Sequence, residues 1–241
     1  MMFDLVNFFT RLPTGRTSIE RAARQSYLLP LLGMIVGALV GIFNYCIATF
    51  ADRLLATLFT LVFLYALTGL THLDGMADFA DGVYTSGDKE RKITAMKDIQ
   101  TGIAGTTSVI FVILFSLCTI YALKGNPFKF IVAEICAKTA MLSTLFFGKP
   151  MEKGLGKLFI GSLNRKAFPF SLLFSLTVSF AVLHWRGLLA VLASLLSSLI
   201  IVKIGHRNFG GINGDVIGAA NEMGRIASLL VLTFPFEDGF L

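Results

Sequence analysis

The sequence predicts an all-α fold: a polytopic integral membrane helical bundle with six to seven transmembrane helices and a cytoplasmic N-terminus. Of the 241 residues 55% are hydrophobic and only 15% are charged, whereas soluble domains usually carry about a quarter charged residues. The mean hydropathy is +0.75. The apolar residues also stand in blocks of about twenty, the length with which a helix crosses roughly 30 Å of hydrocarbon. This composition argues against a soluble enzyme.

Seven apolar segments account for the predicted spans, and the last is the weakest: 27–50, 54–73, 103–123, 128–148, 167–185, 187–205 and 214–234. Because the linkers after the first, third and fifth spans are only a few residues long, those spans should form antiparallel hairpins. The segments 74–102 and 149–166 are longer and polar, so the chemistry is expected there. No cleavable signal peptide is expected, and residues 1–241 are interpreted as one membrane-embedded domain.

The distribution of basic residues predicts the orientation. One set of alternate loops carries 15 lysines and arginines, in 11–24, 89–97, 149–166 and 203–207. The opposite set carries four, namely Arg53, Lys124, Lys129 and Arg186. Since cytoplasmic loops are enriched in basic residues, the N-terminus and both long segments should face the cytoplasm. The same bias explains the net charge of +6, and no nucleic-acid partner is expected.

Small and charged residues inside the spans predict internal contacts. Three glycines recur every four residues in the first span, at positions 33, 37 and 41, so another helix should approach this face closely. Glu134 and Lys138 are four residues apart, which is compatible with an internal ion pair or with a substrate contact. The same two interpretations apply to Glu222 and Arg225.

An acidic segment, Thr71-His72-Leu73-Asp74-Gly75-Met76-Ala77-Asp78-Phe79-Ala80-Asp81-Gly82, follows the second span. If it is helical, the three aspartates fall at i, i+4 and i+7 and project from one face. Their mutual repulsion predicts a divalent cation at this face. Oxygen ligands without histidine or thiolate favour Mg²⁺ or Mn²⁺, and Mg²⁺ typically binds together with substrate phosphate. A solvated helix end with scattered acids is the alternative.

Three further sites accompany the acids. Arg91 and Lys97 are candidates for phosphate contacts or for lipid-headgroup anchors, and Asp98 is a candidate metal ligand or general base. Lys149 lies in the loop 148–157, whose three lysines and three glycines could contact phosphate or anchor the chain. Asp215 follows a glycine-rich turn, either as a helix N-cap or at a place where another group approaches the backbone.

These motifs together resemble the cobalamin 5′-phosphate synthase family, also called adenosylcobinamide-GDP ribazoletransferases. The resemblance rests on four segments in order: Phe8-Phe9-Thr10-Arg11-Leu12-Pro13, the segment 72–82, Met96-Lys97-Asp98 followed by Gly102 and Gly105, and Gly-Gly-x-x-Gly-Asp at 210–215. Asn213 departs from the threonine expected in the last motif. The resemblance extends over nearly the whole chain.

The resemblance implies an Mg²⁺-dependent transferase domain in the last assembly step of cobalamin biosynthesis. A ribose hydroxyl of α-ribazole, or of its 5′-phosphate, attacks the phosphorus linked to cobinamide in adenosylcobinamide-GDP, and GMP leaves. Metal ligands are expected at Asp74, Asp78 and Asp81, and catalytic roles at Asp81 and Asp98. Substrate contacts are expected at six positions: Arg11, His72, Arg91, Lys97, Lys149 and Asp215.

The expected location is the cell membrane, as a multi-pass protein with the active site facing the cytoplasm, and a homo-oligomer is left open. The sequence is compatible with two alternative functions. The spacing Asp78-x-x-Asp81-Gly82 partly matches CDP-alcohol phosphotransferases, but the Ala-Arg that should follow is missing. A membrane transporter would use the charged residues of the spans, yet its polar residues should concentrate at mid-membrane, whereas here the acids lie at one edge.

Overall fold

The computed structural model describes residues 2–13, 15, 18–152 and 154–235. Arg16 and Lys153, two of the basic residues in the predicted orientation, lie outside these ranges. The described chain forms eleven α-helices: α1 Phe3–Phe9, α2 Ile19–Arg24, α3 Leu29–Ile47, α4 Arg53–Thr68, α5 Thr71–Tyr84, α6 Lys89–Met96, α7 Ile103–Ala122, α8 Pro127–Phe147, α9 Leu155–Ser162, α10 Phe168–Phe209 and α11 Gly214–Thr233.

The long helices have the dimensions and hydropathy of membrane spans. Five helical stretches of the described chain, built on α3, α7, α8, α10 and α11, are long and apolar enough to cross a bilayer, and α4 with α5 makes a sixth as a bent pair. Helix α8 lies at the centre, because 83% of its apolar window is buried against other helices, compared with 28% for α7. The predicted polytopic helical membrane bundle is confirmed.

Helix α10 contains two of the predicted spans. Its backbone leaves helical geometry at Leu183 and at His184, where φ is 49°. A Cβ added at Gly187 would collide with the carbonyl group of Ser179. Residues eight apart in a straight helix would be about 12 Å apart along the axis, so the chain reverses here. The two arms form the predicted hairpin.

The glycines of α3 allow the backbone of α8 to come into contact. Added Cβ atoms at Gly33, Gly37 and Gly41 would meet the backbone of Glu134, Phe130 and Pro127, respectively. The prediction that another helix approaches this face is therefore confirmed. The contact also places the end of α3 beside the start of α8.

The second predicted span is not one straight helix. Helices α4 and α5 meet at 90°. Gly69 ends α4 with a φ of 74°, a left-handed conformation that residues with a Cβ rarely adopt. The side chain of Arg11 lies against this glycine. The bend directs the acidic segment along α11 and α7 instead of continuing the direction of α4.

Charged side chains inside the bundle pair across helices. The predicted pair of Glu134 with Lys138 is not formed; Arg225 binds Glu134 through Nε at 2.5 Å, and also binds Glu222 at 2.5 Å. Lys138 instead donates to Asn221 Oδ1 at 2.7 Å. Four helices, α4, α5, α8 and α11, thus contribute to a buried polar network, defined as Tyr65, His72, Glu134, Lys138, Asn221, Glu222 and Arg225.

Contacts between helix ends show which segments lie at the same end of the bundle. At one end the Arg53 side chain donates to the carbonyl oxygen of Tyr121, so the start of α4 lies beside the end of α7. At the other end Gly102 lies against Asp81 and Gly148 against Ile212. The two long polar segments therefore lie at the same end, as predicted, and they are largely helical, containing α5, α6 and α9.

Candidate active site

Helix α5 carries the three predicted aspartates on one face. It is helical from Thr71 to Tyr84, so the spacing i, i+4 and i+7 applies to Asp74, Asp78 and Asp81. The glycines between the acids allow close helix packing, because an added Cβ at Gly75 would lie 3.0 Å from the Asp215 backbone. This contact brings a fourth carboxylate to the three on α5.

These four aspartates form the acid cluster: Asp74, Asp78, Asp81 and Asp215. The charges of the other three carboxylates act on Asp78, and that of Asp74 acts on Asp215. Lys97 is the basic residue whose charge acts on Asp215. No member of the cluster forms an ion pair with a described residue. Among the described residues, the four carboxylates therefore have no counter-ion within ion-pair distance.

The Asp81 carboxylate also organises the start of α7. Its Oδ2 accepts a hydrogen bond from the backbone N–H of Gly102, and its Oδ1 accepts one from Gly105, both at 2.7 Å. Added Cβ atoms at either glycine would collide with this carboxylate. A carboxylate at a helix N-terminus is favoured by the helix dipole. The two glycines noted in the sequence are thus the hydrogen-bond partners of Asp81.

The carboxylate oxygens of the cluster are suitable ligands for Mg²⁺, although the side chains do not converge on one point. Among the described residues no three His, Cys, Asp or Glu side chains converge with metal-binding geometry. Each Asp81 oxygen retains a lone pair beyond the one used by an amide. Carboxylate oxygens with uncompensated charge are the ligands that Mg²⁺ prefers. Metal binding by Asp74, Asp78 and Asp81 stays a prediction.

A cavity of about 370 Å³ opens beside the acid cluster. Its polar wall contains Thr71, His72, Asp74 and Asp215. Its apolar wall is formed by side chains from α1, α8, α9 and α11: Phe8, Phe9, Met141, Leu145, Leu155, Phe159 and Ile217. Five helices in all supply the lining, with α5 contributing the polar side. The cavity therefore presents carboxylates and aromatic rings to the same space.

His72 belongs to this cavity wall and to the buried polar network. The residue is 6% exposed, and its ring stacks on Phe9 with the centroids 6.1 Å apart. Its Nε2 lies 3.3 Å from Lys138 Nζ. Lys138 is fully buried and lies 5.9 Å from the Phe9 ring centroid. The predicted substrate contact at His72 thus has a buried lysine behind it.

Of the other predicted substrate contacts, Asp215 lies in the cavity wall and the remaining four lie outside it. Arg11, Arg91, Lys97 and Lys149 are exposed. Of these, Lys97 acts electrostatically on Asp215. Asp98 is exposed as well, and its carboxylate accepts the backbone N–H of Gln100 at 3.0 Å. The structure therefore brings together His72, the acid cluster and Lys97 from the predicted set, and leaves the remaining candidates on surrounding surface.

The glycine-rich turn before α11 has a structural explanation. Asn213 is the N-cap of α11, since its Oδ1 accepts the Val216 N–H at 3.1 Å. The alternative that Asp215 is the N-cap is therefore wrong; its carboxylate accepts a hydrogen bond from Asn213 Nδ2 at 2.6 Å. An added Cβ at Gly211 would meet the backbone of 149–151. The neighbour predicted to approach this turn is thus the Lys149 loop.

Phe159 is a site residue that the sequence interpretation missed. It lies in α9, within a segment that the sequence analysis describes as polar. The apolar residues at 155, 158 and 159 follow the i, i+3, i+4 spacing of an amphipathic helix, and this pattern is the signal that could have identified it. Lys138 is among the charged residues discussed from the sequence, but its contact with His72 is not predictable from local spacing, because the two lie 66 positions apart.

The comparisons with known proteins agree with the sequence motifs. Residues 1–233 match the family described as cobalamin-5-phosphate synthase. Proteins named adenosylcobinamide-GDP ribazoletransferase are similar along nearly their whole length. The Pyrococcus furiosus protein is 38% identical, over 96% of this chain and 98% of its own. The Methanococcoides burtonii protein is 32% identical, over 94% and 89%. No solved structure matches. The chain belongs to the cobalamin-5-phosphate synthase family.

Proposed function

We propose that the protein is an adenosylcobinamide-GDP ribazoletransferase that catalyses the final assembly step of cobalamin synthesis. The observation that carries the proposal is the cavity in which Asp74 of α5 and Asp215 of α11 face aromatic side chains. A phosphoryl transfer to a nucleoside needs charge neutralisation at the phosphorus and an apolar surface for the base. Carboxylates that could hold a neutralising cation and an apolar surface lie together at one end of the bundle, in a chain of this family.

The proposed reaction transfers cobinamide phosphate to a ribose hydroxyl of α-ribazole or of its 5′-phosphate. The hydroxyl oxygen forms a bond to the phosphorus that carries cobinamide, and the bond from that phosphorus to the oxygen bridging it to GMP breaks. GMP leaves with that electron pair. The hydroxyl proton passes to a carboxylate, for which Asp74 and Asp215 lie in the cavity wall, whereas Asp98 lies on the exposed segment before α7.

Mg²⁺ is proposed as the cofactor. Asp74, Asp78 and Asp81 would hold it, and when bound it supplies positive charge to the diphosphate oxygens. Asp81 is fixed in place by the amides of Gly102 and Gly105, so a ligand at this position would be preorganised. In such transfers positioning and charge neutralisation provide most of the catalysis.

The acid cluster is proposed to face the cytoplasm from the cell membrane. The described basic residues of 89–97 and 149–166 lie at the same bundle end as the cluster, and cytoplasmic loops are enriched in such residues. A nucleotide-linked substrate and a ribazole would then reach the cavity from the cytosol. The buried charges Glu134, Glu222 and Arg225 pair with one another, so a transporter has no supporting observation.

The test is a reconstitution with defined substrates. Purified protein in lipid vesicles is incubated with adenosylcobinamide-GDP, α-ribazole and Mg²⁺, and the corrinoid product and GMP are quantified. Equimolar product and GMP are expected, with no product when ribazole is omitted. Chelation of Mg²⁺ should stop the reaction, and its re-addition should restore it. Undiminished turnover after chelation would exclude the metal assignment, and absence of product from the complete mixture would exclude the proposed activity.

A further inference from the structure

We propose that the cavity of about 370 Å³ is the acceptor-nucleoside site, with the base of α-ribazole against Phe8, Phe9 and Phe159 and its ribose beside Asp74 and Asp215. This assignment rests on the proposed function and adds to it which substrate occupies the cavity. It also gives α9, a short helix outside the recognised motifs, a role in substrate selection.

The aromatic wall suits a flat, apolar base. Phe159 packs against Phe8 and Phe9 with centroid distances of 5.2 and 5.8 Å. Such edge and offset arrangements extend favourably to a further aromatic ring. Leu155 and Met141 complete the apolar surface, and methionine adapts to ring shapes through its flexible side chain. The carbon framework of a bicyclic base would be buried against this side.

The polar wall suits a ribose. Asp74 and Asp215 are hydrogen-bond acceptors for sugar hydroxyls. Lys138 also determines the tautomer of His72. An ammonium group can donate hydrogen bonds but cannot accept them, so His72 Nε2, 3.3 Å from Lys138 Nζ, is the acceptor. The hydrogen of the neutral imidazole is then on Nδ1. The two carboxylates thus provide the acceptors for the sugar hydroxyls, and His72 lies beside them in the same wall.

Charge and size favour the nucleoside over the other substrate. No lysine or arginine is among the described lining residues, so the cavity offers a diphosphate no basic side chain to bind. The volume is at the small end of ligand pockets, which span roughly 300–1,000 Å³. A corrin ring with its attached nucleotide exceeds this space. Adenosylcobinamide-GDP therefore approaches the acid cluster from outside the cavity, and the ribose hydroxyl meets it there.

Two variants with opposite effects on volume test the assignment. Phe159→Ala removes the aromatic surface, and Leu155→Trp fills the cavity from a side chain that is 45% exposed and so can be enlarged without core damage. Phe170→Ala is the matched control, because Phe170 is 74% exposed on α10. Steady-state KM values for both substrates are measured, along with binding of radiolabelled α-ribazole to the purified protein without the second substrate.

Both cavity variants should raise the KM and Kd for α-ribazole about tenfold or more, as expected for losing most of one buried aromatic contact. The KM for adenosylcobinamide-GDP and all values of the control should stay within about twofold. An unchanged KM for α-ribazole in Leu155→Trp, or a rise confined to adenosylcobinamide-GDP, would overturn the assignment while the activity stands. Co-purification of a lipid in the cavity that α-ribazole does not displace would also overturn it. A wild-type protein without turnover would instead refute the proposed function.

Discussion

The backbone N–H of Gly105 donates a hydrogen bond to Asp81 Oδ1 over 2.7 Å. Together with the bond from Gly102, it joins the last acid of α5 to the first turn of α7. Asp81 therefore has a structural role whether or not a cation binds, whereas Asp74 is exposed and accepts no hydrogen bond from a described residue. The same substitution at the two positions should separate these roles.

Asp81→Asn should lower both activity and stability. An amide presents an NH₂ group to one of the two backbone donors, so one hydrogen bond is lost and a donor is left unsatisfied, at a cost of about 1–3 kcal/mol. Asp74→Asn should abolish transferase activity with little change in stability. Turnover and thermal unfolding of both variants in the same detergent provide the measurement. Equal loss of stability in the two variants would contradict this division of roles.

The buried arginine should be required for folding. Arg225→Met would leave Glu134 and Glu222 without a cation, and breaking a buried pair costs about 3–5 kcal/mol. Arg225→Lys keeps the charge but loses the two-pronged contact with Glu134, so an intermediate loss is expected. The amount of monodisperse protein after extraction and its unfolding temperature are measured. Normal accumulation of Arg225→Met would show that the network is dispensable.

The contact between α3 and α8 should not tolerate a side chain. In Gly37→Ala the new Cβ would collide with the backbone of Phe130 and Ile131, so the helices must separate, at a cost of about 1–3 kcal/mol. The control is Gly161→Ala in α9, where nothing lies within 4 Å of the added atom; that change should be neutral or stabilising. The unfolding temperatures of both variants are measured. Equal temperatures would contradict tight packing between α3 and α8.

The orientation can be tested by labelling single cysteines. In a background lacking Cys46, Cys118 and Cys136, Ser86→Cys lies between α5 and α6 and Ala48→Cys lies at the opposite bundle end. A membrane-impermeant maleimide should label Ser86→Cys only in inside-out vesicles and Ala48→Cys only in intact cells. Both substitutions are small and both positions are exposed. The reverse pattern would place the acid cluster outside the cytoplasm.

Much of the architecture follows from local sequence. The spans, the α3 glycines and the shared face of Asp74, Asp78 and Asp81 were predictable, because hydropathy and helical periodicity depend on residues close in the chain. The family resemblance was also local, since its motifs are short and ordered. The bend at Gly69 could not be predicted in the same way, because a glycine within an apolar helix does not by itself specify a 90° turn.

Only the tertiary structure decided which side chains meet. Arg225 binds Glu134 from 91 positions away, and Asp215 joins the acids of α5 because Gly75 lets the two helices touch. The cavity is assembled from residues spread between 8 and 218. Partners so distant in the chain are selected by how helix faces fit together, and no periodicity within one segment encodes that fit.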